Sequence, residues 1–298
     1  MSSSDSSSSS PRVLLVGIGG PTCSGKTTLT KHILSLLPTS PSPSSSSSSA
    51  SSSLTSFIVH QDDFAPPESS LQWNEEVGSA DWDDPATSVD WRRLRSTLAH
   101  VKANGALPRD HGSHDESNPL PERAIRPETE EKYRQLFKEA MQRKGGPTHV
   151  VFLDGFLLYY DEEVRDMIDV PIFLRIGKEL LRERREKRGG YVTADGDRWE
   201  DPPLYFSHIL WPSHLKAHSH LFKDADVEAG TVLPISAART PASRTIPEDS
   251  ESAAQKVLRL IEVQDQPGKG EPREIDEIVQ EGCEIVLEAL KEWKGEEE

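Results

Sequence analysis

Apolar residues in this chain occur in short unbroken runs that alternate with stretches of helical spacing. Residues 13–18 (VLLVGI) are continuously apolar and end in Gly-Gly-Pro, which predicts a buried strand entering a tight loop. From Lys26 on, Leu29, Ile33, Leu36 and Leu37 share one face of a helix that stops at Pro38. A second strand is expected at 57–59, running into Gln61-Asp62-Asp63-Phe64. Helices over 88–103 and 128–143 flank a polar, proline-bearing loop at 104–127. Residues 149–153 (HVVFL) predict a third strand closing on Asp154-Gly155, and 170–176 a fourth, followed at once by a basic helix over 178–188. A helix over 207–222, a last short strand at 232–235, polar stretches at 239–251 and 263–274, and a helix over 275–293 complete the pattern. Strands alternating with helices predict an α/β fold with a mainly parallel sheet.

Composition changes this picture in a few places. Eight of the first ten residues are Ser, and so are eleven of the fifteen at 39–53. A disordered leader (1–11) and a flexible insertion are therefore expected. Residues 12–262 then form one domain, with 39–53 and 104–127 inserted in it, and 263–298 supply a linker, a helix and an acidic tail. The 298 residues include 34 basic and 50 acidic ones, and a formal charge of −16 argues against a DNA or RNA partner because it repels phosphate backbones. No apolar run approaches the ~20 residues of a membrane span. The N-terminus lacks the charged and apolar regions of a secretory signal. Two cysteines, Cys23 and Cys283, cannot make a disulfide framework and suit a reducing compartment. The expectation is a cytoplasmic protein, with the nucleus also open, that acts on a small molecule and whose oligomeric state the sequence leaves open, a monomer included.

The chemistry starts at the first strand's end. Gly20-Pro21-Thr22-Cys23-Ser24-Gly25-Lys26-Thr27 fits G-x-x-x-x-G-K-S/T without a mismatch, between an expected strand and an expected helix. Gly20 and Gly25 permit the backbone geometry that rings a phosphate with N–H groups. The helix that follows presents its positive dipole end to the same anion. Lys26 can reach the β and γ phosphates, and the Thr27 hydroxyl can ligate Mg²⁺. Cys23 reads as a small filler in the loop rather than a nucleophile, because phosphoryl transfer needs no covalent relay.

Three further groups belong to the same picture. Asp62 and Asp63 follow the second strand on the edge where ligands bind in open α/β sheets, although a helix cap or surface turn would also use them. Asp154 ends the third strand, a place for a carboxylate that serves Mg²⁺ directly or through water. Arg184, Arg185 and Arg188 share one face of the basic helix, which suits a phosphate clamp or, alternatively, a solvated helix paired with Glu179, Glu183 and Glu186. Gly189-Gly190 then suits the hinge of a mobile lid. A guanine-specificity Asn-Lys-x-Asp segment is missing from the sequence, which excludes an ordinary GTPase.

Residues 20–28, Gln61-Asp62-Asp63-Phe64, Trp82-Asp83-Asp84-Pro85, Asp154-Gly155-Phe156-Leu157-Leu158, the Arg184/Arg185/Arg188 helix, and Tyr205-Phe206 with Trp211-Pro212 together resemble nicotinamide riboside kinases, in the order and spacing of the fungal members. The resemblance covers roughly 12–235. It implies a P-loop NTPase-type three-layer fold with a helical lid, and transfer of the ATP γ-phosphate, with Mg²⁺, to the ribose 5′-hydroxyl of nicotinamide riboside or nicotinic acid riboside. It further implies that Gly20, Pro21, Thr22, Cys23, Ser24, Gly25, Lys26, Thr27 and Thr28 hold ATP together with Arg184 and Arg188. Asp62 matches the general base; Asp63, Phe64 and Arg185 match substrate-side positions. Trp82 matches an aromatic on the nucleoside, and Asp83 the carboxylate that binds the ribose 2′ and 3′ hydroxyls. Thr27, Asp62 and Asp154 match the magnesium side. Family members often carry Glu at the position of Asp154, and the segment 189–204 is longer than the family's lid loop.

Two other readings stay open: a uridine–cytidine kinase with the same transfer logic, and a non-catalytic nucleotide-binding regulator. His208, His214, His218 and His220 have partial helical spacing but no Cys or paired carboxylate to complete a metal set, so a structural or surface role is expected. The same holds for His111 and His114, in a loop expected to lie away from the site.

Overall fold

The computed structural model describes residues 11–38, 55–113, 124–142, 146, 149–188, 190–192, 198–235 and 256–293. The two Ser-rich tracts, His114, Gly189, the stretch 239–251 and the acidic tail lie outside them. In chain order the elements are β1 (Val13–Gly19), α1 (Lys26–Leu36), β2 (Thr55–His60), a ribbon of β3 (Trp73–Asn74) and β4 (Ser79–Ala80), α2 (Trp91–Asn104) and α3 (Pro127–Met141). Then come β5 (His149–Gly155), α4 (Glu162–Met167), β6 (Val170–Arg175), α5 (Lys178–Arg188) and a ribbon of β7 (Tyr191–Val192) and β8 (Arg198–Trp199). The chain continues with α6 (Trp211–His218), β9 (Arg259–Glu262), a hairpin of β10 (Gln264–Gln266) and β11 (Lys269–Pro272), and α7 (Ile275–Glu292).

β1 is buried along its whole length because it sits at the centre of a five-stranded sheet of order β2-β5-β1-β6-β9, every pair parallel. Its side chains alternate between two core layers. Leu14, Val16 and Ile18 face a layer built by α1, α3 and α7; Val13 and Leu15 face one built by α2, α4 and α6. This is the expected α/β fold with a mainly parallel sheet.

The main departures lie in the last third. Residues 263–274 form the β10–β11 hairpin, where a linker is expected, and the hairpin is tied down: Gln264 Oε1 accepts from Gly177 N (2.9 Å) at the start of α5. The fifth sheet strand is β9, not 232–235, where Val232 makes only an isolated bridge to Phe222. β9 is four residues with charged ends (RLIE), so its pattern is too short to read, yet Ile261 is fully buried against β6. α4 and the two ribbons escape periodicity for the same reason of length.

α7 is built into the core. Ile278, Val279, Cys283, Val286 and Leu290 pack on α1 and α3, and Gly282 allows close approach, since a Cβ there would lie 2.9 Å from Leu29 Cδ1. Asp276 in its first turn caps a different helix, accepting from Arg126 N (2.8 Å) and Thr129 Oγ1 (3.0 Å) at the start of α3. Burial opposes that charge, but these donors and Gln280 outweigh it and hold the Asp276 pKa below the usual carboxylate range.

Leu290→Ala should therefore destabilise the protein by about 2–5 kcal/mol in urea denaturation, the cost of a core cavity. A loss below about 0.5 kcal/mol, the range of surface substitutions, would show that α7 is a detachable appendage.

Candidate active site

The register of the sheet brings three strand ends to one place. Ile18 of β1 and His60 of β2 both pair with Asp154 of β5, so the loop after β1, the segment after β2 and the end of β5 share one edge. The loop 20–25 joins β1 to α1. Gly20 has φ +136°, and a Cβ there would lie 2.5 Å from the Leu174 carbonyl, so only glycine fits. Gly25 (φ +100°) is the N-cap of α1 and supplies no side-chain cap, which leaves the helix's first N–H groups to meet an anion. Ser24 Oγ is buried without a hydrogen-bond partner among the described residues, in the same loop. Cys23 takes φ +56° and its thiol contacts Thr22 Oγ1 (3.8 Å). Thr27 and Thr28 follow, half-buried, on the first turn of α1.

Lys26 is buried and donates to the Pro21 carbonyl (2.9 Å). Burial lowers its pKa, while the charges of Asp154 and then Asp62 work to raise it. Asp62 is partly open to solvent but is crowded by protein on its other sides. That desolvation, then the nearby Asp154 charge, raise its pKa above the usual carboxylate value, against the pull of Lys26, His60 and Arg188. Asp154 is held by His60, whose Nδ1 lies 3.1 Å from Oδ1. Its other oxygen, Oδ2, is buried with no hydrogen-bond partner among the described residues. Gln61 fixes the spacing of the two acidic segments: its Oε1 accepts from Leu157 N (2.9 Å).

Beyond this cluster lies a second half built from aromatic and acidic groups. Asp81 Oδ1 accepts from Asp83 N (3.0 Å) and Asp84 N (2.8 Å), which shapes the turn that presents Asp83. Tyr205 OH donates to Asp83 Oδ2 (2.8 Å) and receives Trp82 N (3.3 Å). Desolvation pushes the Asp83 carboxyl up to about 6, although Arg185 and the Tyr205 hydrogen bond lower it. Trp82 meets Trp199 edge-on at 6.2 Å, and Trp199 meets Tyr205 at 5.4 Å. From α5, Arg184 Nη1 donates to the Cys23 carbonyl (3.3 Å) and Arg185 Nη1 to Thr22 Oγ1 (3.0 Å). Arg188 acts electrostatically on both Lys26 and Asp62. The basic helix thus faces the phosphate loop.

Two of the residues named from sequence sit elsewhere. Phe64 is 0% exposed in the core, with the Arg93 guanidinium 4.8 Å from its ring centre. Asp63 is buried beneath the loop before 114: His111 Nε2 lies 3.4 Å from Oδ2, and Ser113 Oγ donates to Oδ1 (3.4 Å). That loop therefore touches the acidic segment, contrary to the expectation that it lies apart. His214 and His218 are buried with rings 4.6 Å apart, and desolvation lowers both pKa values, a structural pair. His60, Trp199 and Asp201 carry no motif signal strong enough to single them out. His60 is recognisable only through the pairing of β2 with β5.

Fold and site together define a P-loop kinase. The phosphoribulokinase / uridine kinase family profile matches residues 15–190. Nicotinamide riboside kinase of Schizosaccharomyces pombe is 29% identical over 255 residues, covering 84% of this chain and 99% of that one. Nicotinamide riboside kinase of Eremothecium gossypii is 30% identical over 221 residues (74% and 82%), and nicotinamide riboside kinase 2 of Mus musculus 29% over 212 residues (71% and 83%). The chain belongs to the phosphoribulokinase / uridine kinase family, and within it to the nicotinamide riboside kinases. Among the described residues no helix is long and apolar enough to cross a membrane.

Because Tyr205 and Arg185 both lower the Asp83 pKa, Tyr205→Phe should move it further above about 6. Carboxyl NMR titration against Asp83→Asn as the assignment control reads this shift directly. An unchanged Asp83 titration would mean the hydrogen bond does not govern its charge.

Proposed function

We propose that this protein transfers the γ-phosphate of ATP to the ribose 5′-hydroxyl of nicotinamide riboside. The observation that carries the reading is the convergence of an intact phosphate loop with Lys26, Asp62 and Asp154 on one sheet edge. Similarity to nicotinamide riboside kinases over most of the chain supplies the acceptor. Asp62 accepts the proton of the attacking hydroxyl, and its raised pKa brings it nearer the working pH of a base. Lys26 and the arginines of α5 offset the charge that develops on the transferring phosphoryl group.

The donor set fits Mg²⁺. Asp154 Oδ2 is a buried carboxylate oxygen with no hydrogen-bond partner among the described residues, Asp62 shares its field, and Thr27 offers a hydroxyl at the start of α1. Magnesium takes few protein oxygens and fills its shell with water and phosphate, so a dedicated cage of ligands is not required. Thr27, Asp154 and Asp62 would hold the ion, which supplies charge neutralisation at the β and γ phosphates.

On the acceptor side, Asp83 binds the 2′ and 3′ hydroxyls of the ribose, since one carboxylate accepts two hydrogen bonds from a vicinal diol. Trp82 and the acidic groups Asp81, Asp83 and Asp201 favour a cationic pyridinium ring.

Acceptor-dependent ADP release should be strong with nicotinamide riboside and weak with uridine and cytidine. Turnover confined to the pyrimidine nucleosides would discard the acceptor and keep the transfer centre. Nicotinic acid riboside, with its extra carboxylate, belongs in the same series. Because Asp83 must be ionised to accept both hydroxyls, the KM for nicotinamide riboside should rise as pH falls through about 6. Asp83→Asn should raise that KM at pH 7.5 and remove its acid-side rise; an unchanged pH profile would displace Asp83 from the ribose.

A further inference from the structure

We infer that Asp201 is a positioning residue that joins the nucleoside half of the site to the phosphate loop, an inference that rests on the kinase reading above. One carboxylate holds groups from both halves. Asp201 Oδ2 accepts from Arg185 Nε (2.8 Å), and Oδ1 accepts from Arg185 Nη2 (2.7 Å) and from Trp199 Nε1 (2.9 Å). The pair with Arg185 is bidentate, which fixes the plane of the guanidinium as well as its position. The nitrogen left over, Nη1, is the one that donates to Thr22 Oγ1 in the phosphate loop (3.0 Å). A rotated guanidinium would lose these bonds together.

Trp199, held through its indole nitrogen, stands edge-on to Trp82 and to Tyr205, the residue that donates to Asp83. The contacts therefore run from Thr22 through Arg185 and Asp201 to Trp199, Trp82, Tyr205 and Asp83. The Arg185 side chain is 8% exposed and that of Asp201 23%, so the guanidinium is covered while the carboxylate that holds it reaches the surface. Arg185 holds the Asp201 pKa low against the effect of burial. Asp201 follows β8, in the stretch 189–204 that is longer than the family's lid loop, and β8 places Trp199 opposite Tyr191 in the ribbon.

A double-mutant cycle on the full-length protein tests this with a probe that needs no acceptor, the non-hydrolysable ATP analogue AMP-PNP with Mg²⁺, by calorimetry. Asp201→Asn should weaken binding roughly tenfold, and in an Arg185→Ala background it should cost nothing further, because the two residues act as one unit. Equal losses in both backgrounds would overturn the proposal, since Asp201 would then act on something other than Arg185. Arg185→Lys keeps the charge but loses the fork, so it should weaken binding as Arg185→Ala does and shift the Trp199 indole N–H resonance. Wild-type affinity in Arg185→Lys would also overturn the proposal, even if Asp201→Asn failed to fold. In turnover, Trp199→Phe keeps a ring and drops the donor, so it should raise the acceptor KM more than it lowers kcat; an unchanged KM would remove Asp201 from the nucleoside side. A wrong acceptor would show as absent turnover on nicotinamide riboside and would leave the AMP-PNP cycle readable.

Discussion

The site depends on one buried ammonium. Lys26 lies where β1, β2 and β5 end together, facing the carboxylates of Asp62 and Asp154. Burial alone disfavours the charged lysine, and two carboxylates packed together disfavour their own ionisation. Each of these costs is only partly offset by the other group, so the Lys26 pKa stays lowered and that of Asp62 raised. Arg188 adds a second cation to this field, and the charged cluster lies beside the N-terminus of α1, an environment suited to a divalent cation and the phosphates it accompanies.

The rest of the fold serves that alignment. A parallel sheet covered on both faces puts all its strand ends on one side, so residues far apart in sequence meet without a dedicated loop between them. α7 and its Asp276 cap secure the layer that backs α1, and α1 presents the phosphate loop. The second half of the site is softer in construction. It is made of short ribbons and turns outside the main sheet, held by Asp81, Tyr205 and the aromatic edges of Trp82 and Trp199 together with the two-residue pairings of the ribbons. Of the four arginines on α5, Arg184 and Arg185 donate into the phosphate loop.

Much of this is legible in the sequence, for physical reasons. Fully buried parallel strands read as continuous apolar runs, so 13–18, 149–153 and 170–176 declare themselves, and the glycines and Lys26 of the phosphate loop are dictated by backbone geometry. β9 and the β10–β11 hairpin do not declare themselves, because four residues with charged ends carry no period and Gln264 finds its partner only through the fold. His60 and Asp201 share this limit: each contacts a residue distant in sequence, and pairing across the sheet or between α5 and the segment after β8 is invisible to spacing. Phe64 shows the converse. It stands beside Asp62 in the same motif, yet the tight turn after β2 sends its ring into the core while Asp62 stays exposed.

The proposed transfer requires Asp62 to activate the acceptor beside a nucleotide site that forms without it. Single-turnover phosphoryl transfer by Asp62→Asn, measured alongside Mg-ATP affinity, tests it most directly. Transfer should fall by a factor of about 100 or more, the contribution of a positioned base, while ATP affinity stays within a few-fold of wild type. Transfer at a near wild-type rate would contradict it.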